Sequence, residues 1–225
     1  MANSLAGARA AMPGFARLFG IPKPKKYTRE TIRAERPASY RWWKHVALLA
    51  TLSTATIAVC ALNLDAVRPW EWMLFGGALL FANFGEYWLH RIPFHNPVVP
   101  DFQYWEHTMI HHAFFSYDRM GVDDLNDLRW VMFAPWVMPI LLVAPLPVFA
   151  ALHHFVTPNV AWLYLMAVIV YYSIYEVTHA LAHMPQNSAL GGNWIVQRIS
   201  HHHRVHHDPR LMRRYNFNFA IPLFD

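Results

Sequence analysis

VAWLYLMAVIVYYSIYEVTHALAH, residues 160–183, is apolar almost throughout and then closes on a glutamate and two histidines. A bilayer core needs about 20 residues of helix, so the stretch is expected to cross a membrane as a helix. Glu176 stands at its end, where an ionisable side chain in an apolar helix is costly and usually functional. His179 and His183 are four residues apart, a spacing that puts both imidazoles on one helical face.

The rest of the chain fits that reading. Of 225 residues, 55% are apolar, 16% aromatic and only 15% charged, which is a poor match to a soluble domain. Three further segments, 45–64, 70–89 and 130–152, are long and apolar enough to span a bilayer. The expected fold is therefore an all-α membrane protein with four transmembrane helices. Pro135, Pro139, Pro145 and Pro147 fall in the third span and should kink it, break it in two or turn it into a re-entrant hairpin. The single cysteine, Cys60, lies within an apolar run, which excludes a disulfide framework and a cysteine-based zinc site.

Lys and Arg accumulate on the cytoplasmic side of membrane proteins, and in the four-span arrangement only Arg68 falls on the other side. Both termini and the histidine-rich segments are therefore predicted to be cytoplasmic, in a bacterial inner membrane or an endoplasmic reticulum. Residues 1–44 read as a basic leader and linker, and 45–225 as the membrane domain. The leader has no continuous apolar core of a cleavable signal. Its stretch IPKPKKYTRETIRAERP, residues 21–37, reads as a polar linker. The bilayer is an expected partner; nucleic acid is not.

The histidines collect in four short boxes: HRIPFH (His90, His95), HTMIHH (His107, His111, His112), HALAH (His179, His183) and HRVHH (His203, His206, His207). The last lies in ISHHHRVHHDPR, residues 199–210. Ten imidazoles are too many for one ion and suit two, each with four or five nitrogens and an open position. Imidazole serves zinc, copper, iron and nickel, so the ligand type alone does not name the metal. Metal-bound imidazoles usually donate their second N–H to a carboxylate or a carbonyl, and Glu86, Glu176 and Asp208 stand close enough in sequence to accept it. Glu106 points away round the helix from His107. His45, His153 and His154 read as interfacial residues without chemistry, and His201 and His202 as undecided neighbours.

The order HRIPFH, HTMIHH, YEVTHALAH, ISHHHRVHH and YNFNFAIPLFD, over residues 80–225, resembles the membrane-bound fatty acid hydroxylase and sterol desaturase superfamily, and within it the fatty acid 2-hydroxylase branch. The resemblance implies a four-helix transmembrane bundle under a cytosolic histidine-rich cap, two iron ions on the ten box histidines, dioxygen as co-substrate, and hydroxylation of a fatty acyl or sphingolipid acyl chain. A sterol or carotenoid hydroxylase or desaturase is the alternative within the superfamily; a histidine-lined metal transporter is the alternative outside it. Zinc would accept the same nitrogens in recombinant material. Some members of the branch carry a haem domain that this sequence lacks, so electrons are expected from a separate cytochrome- or ferredoxin-type partner. Members also usually continue past the equivalent of Asp225. The second box commonly reads HxxHH, where this chain has HxxxHH. Phe84, Tyr87, Trp88, Tyr171, Tyr172 and Tyr175 are the candidates to line a lipid channel between the second and fourth spans.

Overall fold

The computed structural model describes residues 26–98 and 101–225, and every regular element among them is helical. Helix α1 is Arg29–Ala34, α2 is Trp42–Leu62 and α3 is Pro69–Arg91. A continuous helical segment, α4, is made of Phe102–Tyr104, a π-helical stretch Trp105–His111, and His112–Phe114. After a 3-10 turn, Leu125–Trp130, come α5 Val137–Val143, α6 Leu146–Phe155, α7 Pro158–Ala182 and α8 Trp194–His206.

Helix α7 is the axis of the molecule. Helices α2, α3, α6 and α8 all pack on it, and 61% of its most apolar window is buried, against 22% for α2. It starts sharply because the Thr157 hydroxyl accepts from the Val160 amide while Pro158 fills the first turn, where a missing N–H costs nothing. It stops at His183, just ahead of Pro185, whose ring disfavours helical geometry in the residue before it.

Three stretches are long and apolar enough to cross a membrane, Trp42–Leu62, Val137–Phe155 and Pro158–Ala182, which marks an integral membrane protein. The expected second span forms the single helix α3, 23 residues and about 34 Å long. It is not among the three, because Glu71, Asn83, Glu86 and His90 are buried along it and lower its hydropathy. The third span starts later than the sequence suggests, since residues 131–136 are turns. It then breaks as its prolines require. Helix α5 ends at Val143, Pro145 caps α6, and Pro139 and Pro147 stand in first turns, the one helical position that tolerates proline freely.

The leader is not a bare linker over its described part. Thr28 and Thr31 cap α1 reciprocally, and Ile32 is fully buried. Arg29, at 4% exposure, donates to the carbonyls of Arg119 (3.2 Å) and Gly121 (2.6 Å). Arg33 grips Asp127 through Nε at 3.0 Å and Nη2 at 2.6 Å, and Arg36 reaches the same carboxylate at 3.2 Å. The acids that neutralise this basic run lie about ninety residues downstream, so a local reading of the sequence sees only charge.

Candidate metal centre

Ten histidines converge where α3 and α7 end beside α4 and α8. His90, His95, His107, His112 and His206 form one group, and His111, His179, His183 and His203 a second; within each, one nitrogen per residue lies within 4.8 Å of all the others. His207 joins the second group, with its Nε2 3.1 Å from that of His111 and 3.0 Å from that of His203. The π-helical stretch of α4 does the sorting. Its wider turn, with i to i+5 bonding, brings His112 back above His107, with their Nε2 atoms 3.1 Å apart, and turns His111 to the other group. An α-helix would have put His112 well round the axis from His107. In HxxxHH the π turn thus brings the first and last histidines together.

Proton accounting shows what these groups require. His111 Nδ1 donates to the Trp130 carbonyl at 2.8 Å, and His207 Nδ1 to the Phe115 carbonyl. Both Nε2 atoms therefore carry bare lone pairs, yet they face each other at 3.1 Å. In the first group His206 Nδ1 donates to the Tyr215 carbonyl at 3.1 Å. The Thr108 hydroxyl gives its proton to the Phe94 carbonyl at 2.7 Å and so must accept from His95 Nδ1 at 3.2 Å. The Nε2 atoms of His95 and His206 are again bare, 3.0 Å apart. Two lone pairs cannot share a hydrogen bond; a cation between them resolves the contact. Metal–nitrogen bonds of about 2.0–2.1 Å meeting at tetrahedral or octahedral angles separate the nitrogens by about 2.9–3.4 Å, the spacing found here. The donor sets of both groups fit a metal ion bound through neutral imidazole.

The imidazoles are neutral for a physical reason. Burial, followed by neighbouring imidazoles, holds His107, His112, His203, His206 and His207 well below the ordinary histidine range. Burial brings His111 down to about 4 and His95 to about 2. Neutral imidazole is the ligating form.

Five of the second ring nitrogens, those of His90, His111, His183, His206 and His207, are held by backbone carbonyls and that of His95 by the Thr108 hydroxyl, not by the three carboxylates expected to hold them. Among the described residues, Nδ1 of His112, His179 and His203 is buried without a partner. His90 Nδ1 donates to the Phe217 carbonyl at 2.6 Å and His183 Nδ1 to that of Met120 at 2.8 Å. Glu86 instead fixes the segment that presents the Phe217 carbonyl: it accepts from the Phe219 and Ala220 amides at 3.0 and 3.2 Å, from Asn218 Nδ2 at 3.2 Å and from the Tyr171 hydroxyl. Asn216, in the left-handed region at φ 59°, turns this C-terminal strap back along α3, and asparagine tolerates that conformation. Glu176 accepts from the Phe133 amide at 3.1 Å. Asp208 pairs with Arg210 at 2.7 Å, which holds its carboxyl at about 2.

The strap thus orients the first group through Tyr215 and Phe217, and the loop 115–122 orients the second through Phe115 and Met120. That loop is clamped by α1. Asp127 is fully buried among Arg29, Arg33 and Arg36. Asp127→Ala should therefore cost about 3–5 kcal/mol, because it leaves buried guanidinium charge uncompensated. It should also lower metal content at the second group before the first. Thermal melts and metal analysis at a permissive temperature check both, and unchanged values would mean that α1 plays no part.

An apolar cavity of about 300 Å³ opens onto both groups, with His107, His111 and His179 in its wall. It lies between α4, α7 and residues 129–141, and α3 contributes only Leu89 to its wall. Of the six expected channel residues, only Tyr172 and Tyr175 line it. Tyr171 is bonded to Glu86 and Asn83, Tyr87 packs on Phe217, Phe84 packs on Phe224, and Trp88 is half exposed. The sequence reading missed Trp130, Val131 and Phe133 as lining because it placed them in a membrane span. His45, read as interfacial, is buried and tied to the Tyr40 hydroxyl at 2.9 Å and the Phe133 carbonyl at 3.0 Å. His153 and His154 are exposed at the far end of α7 from the clusters. His201 is exposed, and His202 bonds the Asn218 carbonyl at 3.0 Å.

No protein-family model, curated protein or solved structure matches the chain.

Proposed function

We propose that this protein is an integral membrane diiron hydroxylase that uses dioxygen to hydroxylate a lipid, with a fatty acyl or sphingolipid acyl chain as the substrate. The observation that carries the reading is the pair of buried nitrogen clusters opening on one apolar cavity. The order of the histidine boxes, which resembles the fatty acid hydroxylase and sterol desaturase superfamily, names iron among the metals that imidazole accepts. Two iron ions bound there would activate dioxygen toward an unactivated C–H bond, a task that side chains alone do not perform.

The chain's own part is placement. Carbonyls of the strap, of loop 115–122 and of Trp130, with the Thr108 hydroxyl, fix the tautomers of six of the ten imidazoles, which leaves their Nε2 lone pairs free for metal. Leu89, Ile110, Val137 and Ile140 line the cavity; they favour a hydrocarbon chain and keep water from the reacting carbon. With α3 as a fourth span, the distribution of Lys and Arg puts both termini and the clusters on the cytoplasmic side. There a soluble cytochrome- or ferredoxin-type donor supplies the electrons that reduce the second oxygen atom to water. A transporter would spread its ligands along a path near the midplane, whereas these gather at one end of α7.

Iron-reconstituted protein, supplied with a reductase system and labelled dioxygen, should place one labelled oxygen atom in an acyl chain. Mass spectrometry of lipids from cells with and without the chain identifies which lipid. A loaded, reducible protein that modified no acyl, sterol or carotenoid substrate would refute the reading.

A further inference from the structure

Phe133 is held more firmly than its place in the chain requires. It lies in no helix, so its amide and carbonyl have no helical partners, and each is taken by a buried side chain from a different apolar helix. The amide donates to Glu176 of α7 at 3.1 Å, and the carbonyl accepts from Nε2 of His45 of α2 at 3.0 Å. A carbonyl only accepts, so the His45 proton is on Nε2, and Nδ1 accepts from the Tyr40 hydroxyl at 2.9 Å. His45 and Glu176 are 4% and 5% exposed. Polar groups so deep in apolar helices are costly, and here two of them serve one residue.

The ring stands where a chain in the cavity would meet it. Phe133 lines the cavity. Its ring stacks on Tyr175, 5.0 Å between centroids at 13°, and meets Phe94 edge-on at 6.0 Å. Phe94 in turn lies 5.2 Å from the His107 ring of the first group, and Tyr175 lies 5.7 Å from the His179 ring of the second. The three rings form a row from one cluster to the other, with Phe133 at its middle. Resting on the lipid-hydroxylase reading, we propose that Phe133 is the wall that limits how far an alkyl chain reaches along the two clusters, and that His45 and Glu176 are positioning residues that hold it there. A ring stacked on its neighbour and tied at both backbone groups does not yield to the chain. The size of residue 133 then decides which chain length fills the cavity.

The test uses the full chain in nanodiscs, loaded with redox-inert zinc, and measures displacement of a fluorescent lipid by n-alcohols of increasing length. Partition into the disc rises with length for every variant alike, so the readout is binding to each variant relative to wild type. Short alcohols should bind Phe133→Ala and wild type equally. Longer ones should bind Phe133→Ala more tightly, about fourfold for each methylene that enters the vacated space. Phe133→Trp should weaken the longer ones instead. At full metal content, His45→Ala and Glu176→Leu should move the profile in the direction of Phe133→Ala. His45→Gln, whose amide N–H still reaches the carbonyl, and Glu176→Gln, whose amide oxygen still accepts, should keep the wild-type profile. An unmoved profile in Phe133→Ala and Phe133→Trp would overturn the wall while leaving a lipid cavity in place. A profile unmoved by His45→Ala and Glu176→Leu, moved equally by the glutamine variants, or moved only with loss of metal would overturn the positioning roles. Ile140→Trp, which fills the cavity, should weaken every alcohol. If it weakens none, the cavity is not the lipid site, and the lipid reading falls with the wall.

Discussion

Alanine at His203 is expected to empty the second histidine cluster of metal, and alanine at His206 the first, each leaving about one equivalent per chain. The two residues are three apart on α8, both fully buried, yet their Nε2 atoms belong to different groups: His203 lies 3.0 Å from His183, and His206 lies 3.0 Å from His95. Loss of a ligand should weaken metal binding by more than the roughly 10–100-fold that loss of a ligand's hydrogen-bonding partner costs. Hydroxylation should disappear in both variants. His207→Ala should behave like His203→Ala, because the His207 Nε2 faces those of His111 and His203 at 3.1 and 3.0 Å, although its ring also stacks on His112 at 4.2 Å between centroids. His153→Ala and His154→Ala should keep full metal and activity, and His202→Ala should be intermediate at most. Metal content and product formation, both normalised to folded yield, decide it. Equal tolerance at His203, His206 and His207 would make ISHHHRVHH a basic tail and end the enzyme reading.

Acid should act almost as strongly. In the metal-free protein burial holds His111 at about 4 and His95 at about 2, whereas the unfolded chain takes protons on the same residues near pH 6.5. Between those limits the unfolded state binds more protons than the folded one, so stability falls as pH drops below about 6.5 and continues to fall to about 4 for the His111 share and about 2 for the His95 share. Each unit of such a shift is worth about 1.4 kcal/mol, and several histidines share the window. In the loaded protein protons compete with metal for the same lone pairs, so metal release should follow the same direction. Melts of loaded and metal-free protein between about pH 7.5 and 5 measure both effects. A metal-free melt that stayed flat across that range would show that the imidazoles are not buried as neutral groups.

What the sequence disclosed follows from the range of each cause. Hydropathy and helical period are local, so α2 and α7 were legible, as was the break at Pro145. Spacing of three or four residues is local too, and all ten box histidines stand in the two clusters. The side-by-side placing of His107 and His112 was not legible, because an α-helical period sets residues five apart on different faces and the stretch is π-helical. The partners of the ring nitrogens were misjudged because carbonyls carry no sequence signature. His207 reaches Phe115 across 92 residues and His90 reaches Phe217 across 127, so nearby Asp208 and Glu86 were taken in their place. The cavity wall at 131–136 was hidden for the opposite reason: an apolar lining and an apolar membrane span look alike in composition.

The most direct test of two neutral-imidazole metal sites is the metal content of wild-type protein, purified without a nickel column and loaded to saturation. The facing lone pairs of His95 with His206 and of His111 with His207 predict two equivalents per chain, iron in native material and zinc where zinc has displaced it. One equivalent or fewer at saturation would contradict the account.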